Sequence, residues 1–266
     1  MNSEKVRQQF NKQAKKYAKW SVTKNQEYLK KYSQFCQIAK DDSVLDVACG
    51  SGDFCLFLAP RVKSVCGIDL SDNLINLAKE QVEEFNLENV TFICDDFQKV
   101  NFKERFSMLV CRMAFHHFPS PKLIFDKMLA CSKVHARIGI QDIVAYSDDL
   151  VSNYFDQLER YIDCSHHRCL KEEELLELYE ENNLKILNKM ILERDIAIKK
   201  YIEHAEQDTK TLQKINHHIQ KGLQDPIISN YLYKKNGEIY FKRKIFLILG
   251  EVRVRTLSNL VKKEED

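Results

Sequence analysis

The segment Ser43-Val44-Leu45-Asp46-Val47-Ala48-Cys49-Gly50-Ser51-Gly52-Asp53 changes character at its middle. Val44, Leu45 and Val47 bracket a single acid, Asp46; Gly50 and Gly52 then open a turn into the apolar run Phe-Cys-Leu-Phe-Leu-Ala at 54–59. A buried strand, a glycine turn and a helix start in that order make the first β-α unit of a nucleotide-binding sheet. A backbone without Cβ can turn sharply and let a ligand come close.

The charge pattern narrows the ligand. The dinucleotide fingerprint needs glycine where Cys55 stands. Asp46, read as a carboxylate at the strand end facing the turn, would repel a pyrophosphate seated on the helix N-terminus and attract an ammonium. S-adenosylmethionine, with an ammonium, a sulfonium and no phosphate, fits that pattern better than NAD does.

Residues 46–53, D-V-A-C-G-S-G-D, with residues 67–71, G-I-D-L-S, resemble the class I S-adenosylmethionine-dependent methyltransferases. The likeness is strongest to the small-molecule branch that includes ubiquinone and menaquinone methyltransferases. The usual first motif of that family carries glycine at the position of Ala48. The resemblance implies an α/β protein: a Rossmann-like, doubly wound, seven-stranded sheet whose last strand is antiparallel, an N-terminal helical lid and a helical insertion. It implies one domain over residues 1–266, divided into a lid (1–40), a cofactor core (41–146), an acceptor lid with strand six (147–235) and a closing strand (236–256).

The rest of the chain carries the same β-α rhythm. Strands are expected at 43–49, 64–70, 90–94, 108–113 and 136–145. Asp69 ends the second, 19 residues after Gly50, where an acid can accept hydrogen bonds from both ribose hydroxyls. Ser71 reads as the cap of the next helix, with Asn86 as its stop. By resemblance an acid after strand three, Asp95 or Asp96, bonds the adenine amino group beside Phe97, with both acids open. The backbone near Arg112 borders the methionine end of the cofactor, and Ala48, Gly50, Gly52, Leu70 and Tyr17 complete its site. The absence of N-P-P-Y or D-P-P-Y after strand four argues against nucleobase and protein-glutamine acceptors.

Val6, Phe10, Ala14 and Tyr17 share one face of a helix predicted at the start of a helical region over 4–40. That face either closes the site, with Phe10, Tyr17 and Trp20, or packs on the sheet. Residues 148–162 and 172–181 read as helices, 184–192 as strand six and 197–224 as helical. Asn236-Gly237 marks a hairpin, and 245–249 a last strand inserted between strands five and six.

Composition agrees with a folded core, at 44% hydrophobic and 30% charged, and the formal charge of +2 comes from intermixed acids and bases. That balance speaks for a small-molecule acceptor, with no nucleic-acid or membrane partner, and leaves monomer and homodimer open. Nine cysteines without C-x-x-C, and no long apolar segment, point to a cytoplasmic protein.

Methyl transfer is an in-line displacement that needs an aligned acceptor, a dry site and, for hydroxyl, thiol or acidic carbon acceptors, a base. His117 and His166 are the candidate bases. His117 alternatively fixes its loop by hydrogen bonding, and His166 is alternatively an exposed polar residue. Arg168 and Tyr161 are the candidate acceptor-binding residues. The His-His pairs at 116–117, 166–167 and 217–218 lack metal-ligand spacing, so no metal is expected. Two rivals are an NAD-dependent oxidoreductase and a catalytically silent cofactor-binding partner.

Overall fold

The computed structural model describes residues 2–19, 24–103, 105–203, 205 and 207–253. Trp20 and the charged tail from Asn259 lie outside the described residues. The elements in order are α1 (Asn2–Tyr17), α2 (Gln26–Phe35), β1 (Ser43–Val47), α3 (Asp53–Leu58), β2 (Ser64–Asp69), α4 (Asp72–Glu84), β3 (Val90–Cys94), β4 (Phe106–Arg112), α5 (Pro121–Cys131) and β5 (Ser132–Ile143). They continue with α6 (Asp149–Ile162), α7 (Glu172–Glu180), β6 (Lys185–Ala197), α8 (Ile198–Ile202), α9 (Thr209–Gln224), β7 (Leu232–Lys235) and β8 (Glu238–Glu251).

The strands run in the order β3-β2-β1-β4-β5-β8-β6, the first five parallel and β8 antiparallel to both its neighbours. The expected doubly wound sheet with an inserted antiparallel strand is present. It gains an eighth member, because β7 pairs with the first half of β8 across the Asn236-Gly237 turn. Alternation along the strands divides the core between two faces. Leu45, Val47, Leu109 and Cys111 pack with Phe125 and Tyr179 on one side. Val44, Met108 and Val110 pack with Tyr32, Phe54 and Leu58 on the other. Asp46 has the parity of Val44, so it enters the second face, and Arg112 follows Val110 there.

Local chemistry sets the helix ends. The Ser71 hydroxyl accepts from Leu74 N–H at 3.2 Å, and Asp148 from Leu150 N–H at 2.7 Å, each satisfying a donor the first turn leaves over. Asn86 takes a φ of 50° just beyond α4, the left-handed turn asparagine tolerates. Gly52 needs its freedom twice over: φ is 74°, and a Cβ would lie 2.5 Å from the Phe92 ring.

The largest departure from expectation is at the C-terminal half. β5 stops pairing at Ile143 opposite Ile245, while β8 and β6 run on together as far as Tyr240 and Ala197. The overrun stands above the carboxyl edge of the parallel strands, where ligands sit in open α/β sheets. A separate core of α6, α8, α9 and β7, built on Val151, Phe155, Leu158, Ile215 and Phe241, packs on it. The helical stretch expected at 197–224 is two helices.

Candidate active site

Two cavities lie over the carboxyl edge of the sheet. The first, about 270 Å³, is walled by Ala48, Gly50, Asp69, Leu70, Asp95, Asp96, Phe97 and Arg112. Asp69 is held by the backbone around it: Oδ2 accepts from Gly50 N–H at 2.8 Å and Oδ1 from Ser71 N–H at 2.9 Å. Each oxygen keeps further acceptor capacity for a hydroxyl. Asp95 Oδ1 accepts from Asp96 N–H at 2.7 Å, while Asp96 accepts from Gln98 N–H and from the Ser3 hydroxyl, both at 3.1 Å. Phe97 is buried against Phe102 beneath them.

Helix α1 covers this cleft. Asn11 Oδ1 accepts from the Ser71 hydroxyl at 2.6 Å, Asn73 Nδ2 donates to Asn11 O at 2.9 Å, and Arg7 pairs with Asp72 at 2.6 Å. The pairing with Arg7 and hydrogen bonds from Cys94 and Asn11 hold Asp72 down at about 2. Tyr17 lies over Gly50, its ring 3.4 Å from where a Cβ would stand, and withdrawal from water pushes its phenol up to about 12. Phe10 and Tyr17 both line this cleft from α1.

The second cavity, about 450 Å³, opens beside the first under the β6–β8 overrun. Phe10, Tyr17, Arg112, Met113 and His117 belong to both walls. Three buried histidines, each backed by a carboxylate, form its floor. His116 Nδ1 lies 2.6 Å from Asp142 Oδ1, and His166 Nε2 lies 2.8 Å from Asp156 Oδ1. His117 Nδ1 is 3.1 Å from Ser165 Oγ, whose hydroxyl donates to Asp163 Oδ1 at 2.5 Å. Segment 163–168 is docked by His167 and Arg168 N–H groups on His116 O, at 2.9 and 3.2 Å. Those two bonds set the histidine cluster, with ring centroids 4.2 Å apart for 116–117 and 5.4 Å for 116–166.

The environments divide the histidines. Burial, and then the neighbouring His116, push His117 down to about 4, so it is neutral near pH 7. Burial works against protonating His116, but Asp142 outweighs it and the ring is raised above its ordinary value. Because the Ser165 hydroxyl is spent on Asp163, His117 donates Nδ1–H to Ser165 Oγ. That tautomer puts the basic lone pair on Nε2.

Several sequence expectations require correction. Asp46 does not line the cleft. It is 2% exposed, its Oδ2 receives the Cys55 thiol at 3.4 Å, and burial pushes it up to about 6 against the pull of Arg112. Strand parity sends it into the core face rather than to the turn. Gly52 is likewise outside the wall, serving the α3 start and the Phe92 contact. Arg168 is not in the acceptor cavity, since Glu174 takes both its Nη groups at 2.8 and 2.6 Å. Tyr161 faces a separate outer hollow and meets His218 edge-on. His166 is 5% exposed rather than a surface residue. His116 and His117 occupy a one-turn helix and are both buried. His166 and Cys169, three apart, bring one ligand atom each within 4.8 Å of one on Asp156, a His/Cys spacing the sequence reading passed over.

The sequence reading also missed Gln13, Glu159, Tyr201 and Arg243. Glu159 and Arg243 form a buried ion pair, and the Tyr201 hydroxyl donates to Glu159 at 2.8 Å. Both charges sat in plain view on apolar patterns. Arg243 shares strand parity with Phe241 and Ile245, and Glu159 follows Phe155 by four in a helix.

A doubly wound sheet with an antiparallel insert, an acid-tipped second strand and a lidded cleft over its carboxyl edge defines the class I methyltransferase fold. Residues 38–189, more than half the chain, match the family model described as a methyltransferase domain, and the chain belongs to that family. Over 247 residues it is 24% identical to the uncharacterized methyltransferase YcgJ of Bacillus subtilis, covering 91% of this chain and 96% of that one. The crystal structure of YcgJ superposes with a TM-score of 0.76 at 23% identity, covering 86% of this chain and 99% of that one. A putative methyltransferase from Bacillus halodurans, BH2331, gives 0.78 at 23%, with 86% and 100% covered. Coclaurine N-methyltransferase, solved with S-adenosylhomocysteine, shares the fold at a TM-score of 0.60 and 16% identity, with 85% and 72% covered. The protein is an S-adenosylmethionine-dependent methyltransferase.

The residues present suit that cofactor. Asp69 offers a carboxylate with acceptor capacity for two ribose hydroxyls, and the Asp95–Phe97 segment pairs acids with a buried ring. Arg112 Nε, at the boundary with the second cavity, is buried without a partner.

Proposed function

We propose that this enzyme methylates a small-molecule acceptor held in the second cavity, with His117 as general base. The observation that carries this reading is the shared wall: five side chains border both cavities, so an acceptor atom and a methyl donor can meet without crossing water. S-adenosylmethionine, when bound, supplies a methyl group made electrophilic by the sulfonium.

The protein's own residues then have distinct tasks. Asp69 binds the ribose hydroxyls, Asp95 and Asp96 with Phe97 receive the adenine, and the backbone at Ala48, Gly50 and Leu70 shapes the cleft. Tyr17 closes it. Arg112, which favours the charged form of Asp46, would hold the carboxylate of the cofactor; Asp46 acts only through that arginine. His117, fixed through Nδ1 by the Ser165–Asp163 relay, takes the acceptor's proton at Nε2. Its lowered basicity keeps it unprotonated over the whole neutral range. His116 and His166 are held by Asp142 and Asp156 and shape the floor.

Transfer of a radiolabelled methyl group to acceptors from a chemically broad panel tests the reading. Activity with hydroxyl, thiol or acidic-carbon acceptors that His117→Gln abolishes supports it. Cofactor binding with no transfer to any acceptor would favour a silent cofactor-binding role, and binding of NAD in preference would favour an oxidoreductase.

A further inference from the structure

The second cavity is unbalanced in its hydrogen bonding. Its buried carboxylates are spent inside the protein. Glu159 is taken by Arg243 and by the Tyr201 hydroxyl, and Asp163 Oδ1 by the N–H and hydroxyl of Ser165. Two buried donors in the same wall are not. Arg243, 7% exposed, uses Nη2 on Glu159, while its Nη1 has no protein partner. Gln13 on the lid, 1% exposed, accepts from Gln9 Nε2 at 3.0 Å, and its own Nε2 has none. Arg112 Nε adds a third at the boundary with the cofactor cleft. The one other buried side-chain atom without a partner among the described residues, Gln141 Oε1, is an acceptor, and it is not part of this wall.

An orphaned buried donor is costly, more so when charged, so such atoms in a cavity wall indicate what a ligand brings. Here it must bring acceptors. The cavity mouth is mixed in charge. Arg194 stacks over the Tyr28 ring at 5.2 Å, and neither it nor Lys200 enters a salt bridge among the described residues. The acids beside them on the wall are Asp195 and Glu238, which accepts from the Tyr240 hydroxyl at 2.9 Å. Between mouth and floor the wall is apolar and aromatic, with Tyr28, Ile143, Ile196 and Ile245.

Resting on the methyltransferase reading above, we infer that the acceptor is a small organic acid whose carboxylate is held by Arg243 Nη1 and Gln13 Nε2. Its apolar body lies along the aromatic wall, which turns the atom to be methylated toward His117. Arg243 is thus a specificity-determining residue. Glu159 is a positioning residue that fixes the guanidinium and competes for its charge.

The test is calorimetric titration of the protein saturated with S-adenosylhomocysteine. The probes are acetate, octanoate, benzoate and 4-hydroxybenzoate, each against its uncharged amide. The expected result is a preference for carboxylate over amide of about tenfold or more in at least one pair. Glu159→Gln should strengthen carboxylate binding severalfold and leave the amides unchanged, which a purely structural Glu159 would not do. The double variant Glu159→Gln/Arg243→Gln leaves no lone buried charge and should erase the preference. Carboxylates that bind no better than amides, or no binding in any pair, overturn the inference. Binding of S-adenosylhomocysteine is measured first, and its absence would strike the cofactor reading instead.

Discussion

Replacing Asp69 by asparagine is a sharper perturbation than its near-isosteric shape suggests. The carboxylate accepts Gly50 N–H at 2.8 Å on one oxygen and Ser71 N–H at 2.9 Å on the other. An amide has one oxygen, so its NH2 must face one of those two N–H groups. Leaving that donor unmatched costs about 1–3 kcal/mol in the free protein. The cofactor loses charge-assisted acceptance of its ribose hydroxyls, about 1.5–3 kcal/mol, or roughly 10- to 150-fold in affinity. Calorimetry with S-adenosylhomocysteine and with its 2′,3′-dideoxy analogue separates the two effects, since only the first ligand can use the carboxylate. Wild type should discriminate between them by the full factor and Asp69→Asn hardly at all, while urea unfolding registers the loop cost. Equal discrimination by both proteins would refute the ribose assignment even if affinity fell.

Further outcomes follow from the same geometry. His117→Gln should lower turnover by roughly 10²- to 10⁴-fold with S-adenosylhomocysteine affinity little changed. Because this base protonates at about 4 rather than 6.5, kcat/KM in wild type should hold on the acid side until pH nears 4. A fall centred near 6.5 would remove His117 from the role. Ala48 has a φ of 57°; glycine there relieves about 1–2 kcal/mol of left-handed strain against about 0.5–1 kcal/mol of chain entropy. Ala48→Gly should therefore unfold in urea at equal or slightly higher concentration, and a clear loss would mean the turn is not strained. Asn11→Ala removes the acceptor for the Ser71 hydroxyl and should raise proteolytic cleavage within α1 while weakening S-adenosylhomocysteine severalfold. Unchanged proteolysis would show the lid is held elsewhere.

What could be read in the chain was local. The strand–turn–helix at residues 43–58, Asp69 at the tip of β2, and the Asn236-Gly237 turn each carry their evidence within a few residues, and each stands where expected. Asp46 shows the limit of proximity as a guide. Its place beside the turn suggested a role there, whereas the two-residue period of β1 already assigned it to the face of Val44. The acceptor side failed for a different reason. Glu159 and Arg243 are 84 residues apart, and His116 and Asp142 are 26 apart, so each looked like an isolated charge until tertiary contact paired it. The segment that carries Arg168 does dock its backbone beside the cavity, although the Arg168 and Tyr161 side chains turn outward to Glu174 and His218. The length of β8 was hidden because its outer half is polar on one face and pairs only with β6 and β7.

The placing of α1 has one more consequence. Phe10 and Tyr17, about two turns apart on that helix, face both compartments, and so filling either one settles part of the boundary of the other. Thermodynamic reciprocity then requires that whatever factor the donor adds to acceptor affinity, the acceptor returns to the donor. Product inhibition should carry the same signature, with the spent donor and the methylated acid each slowing the other's departure.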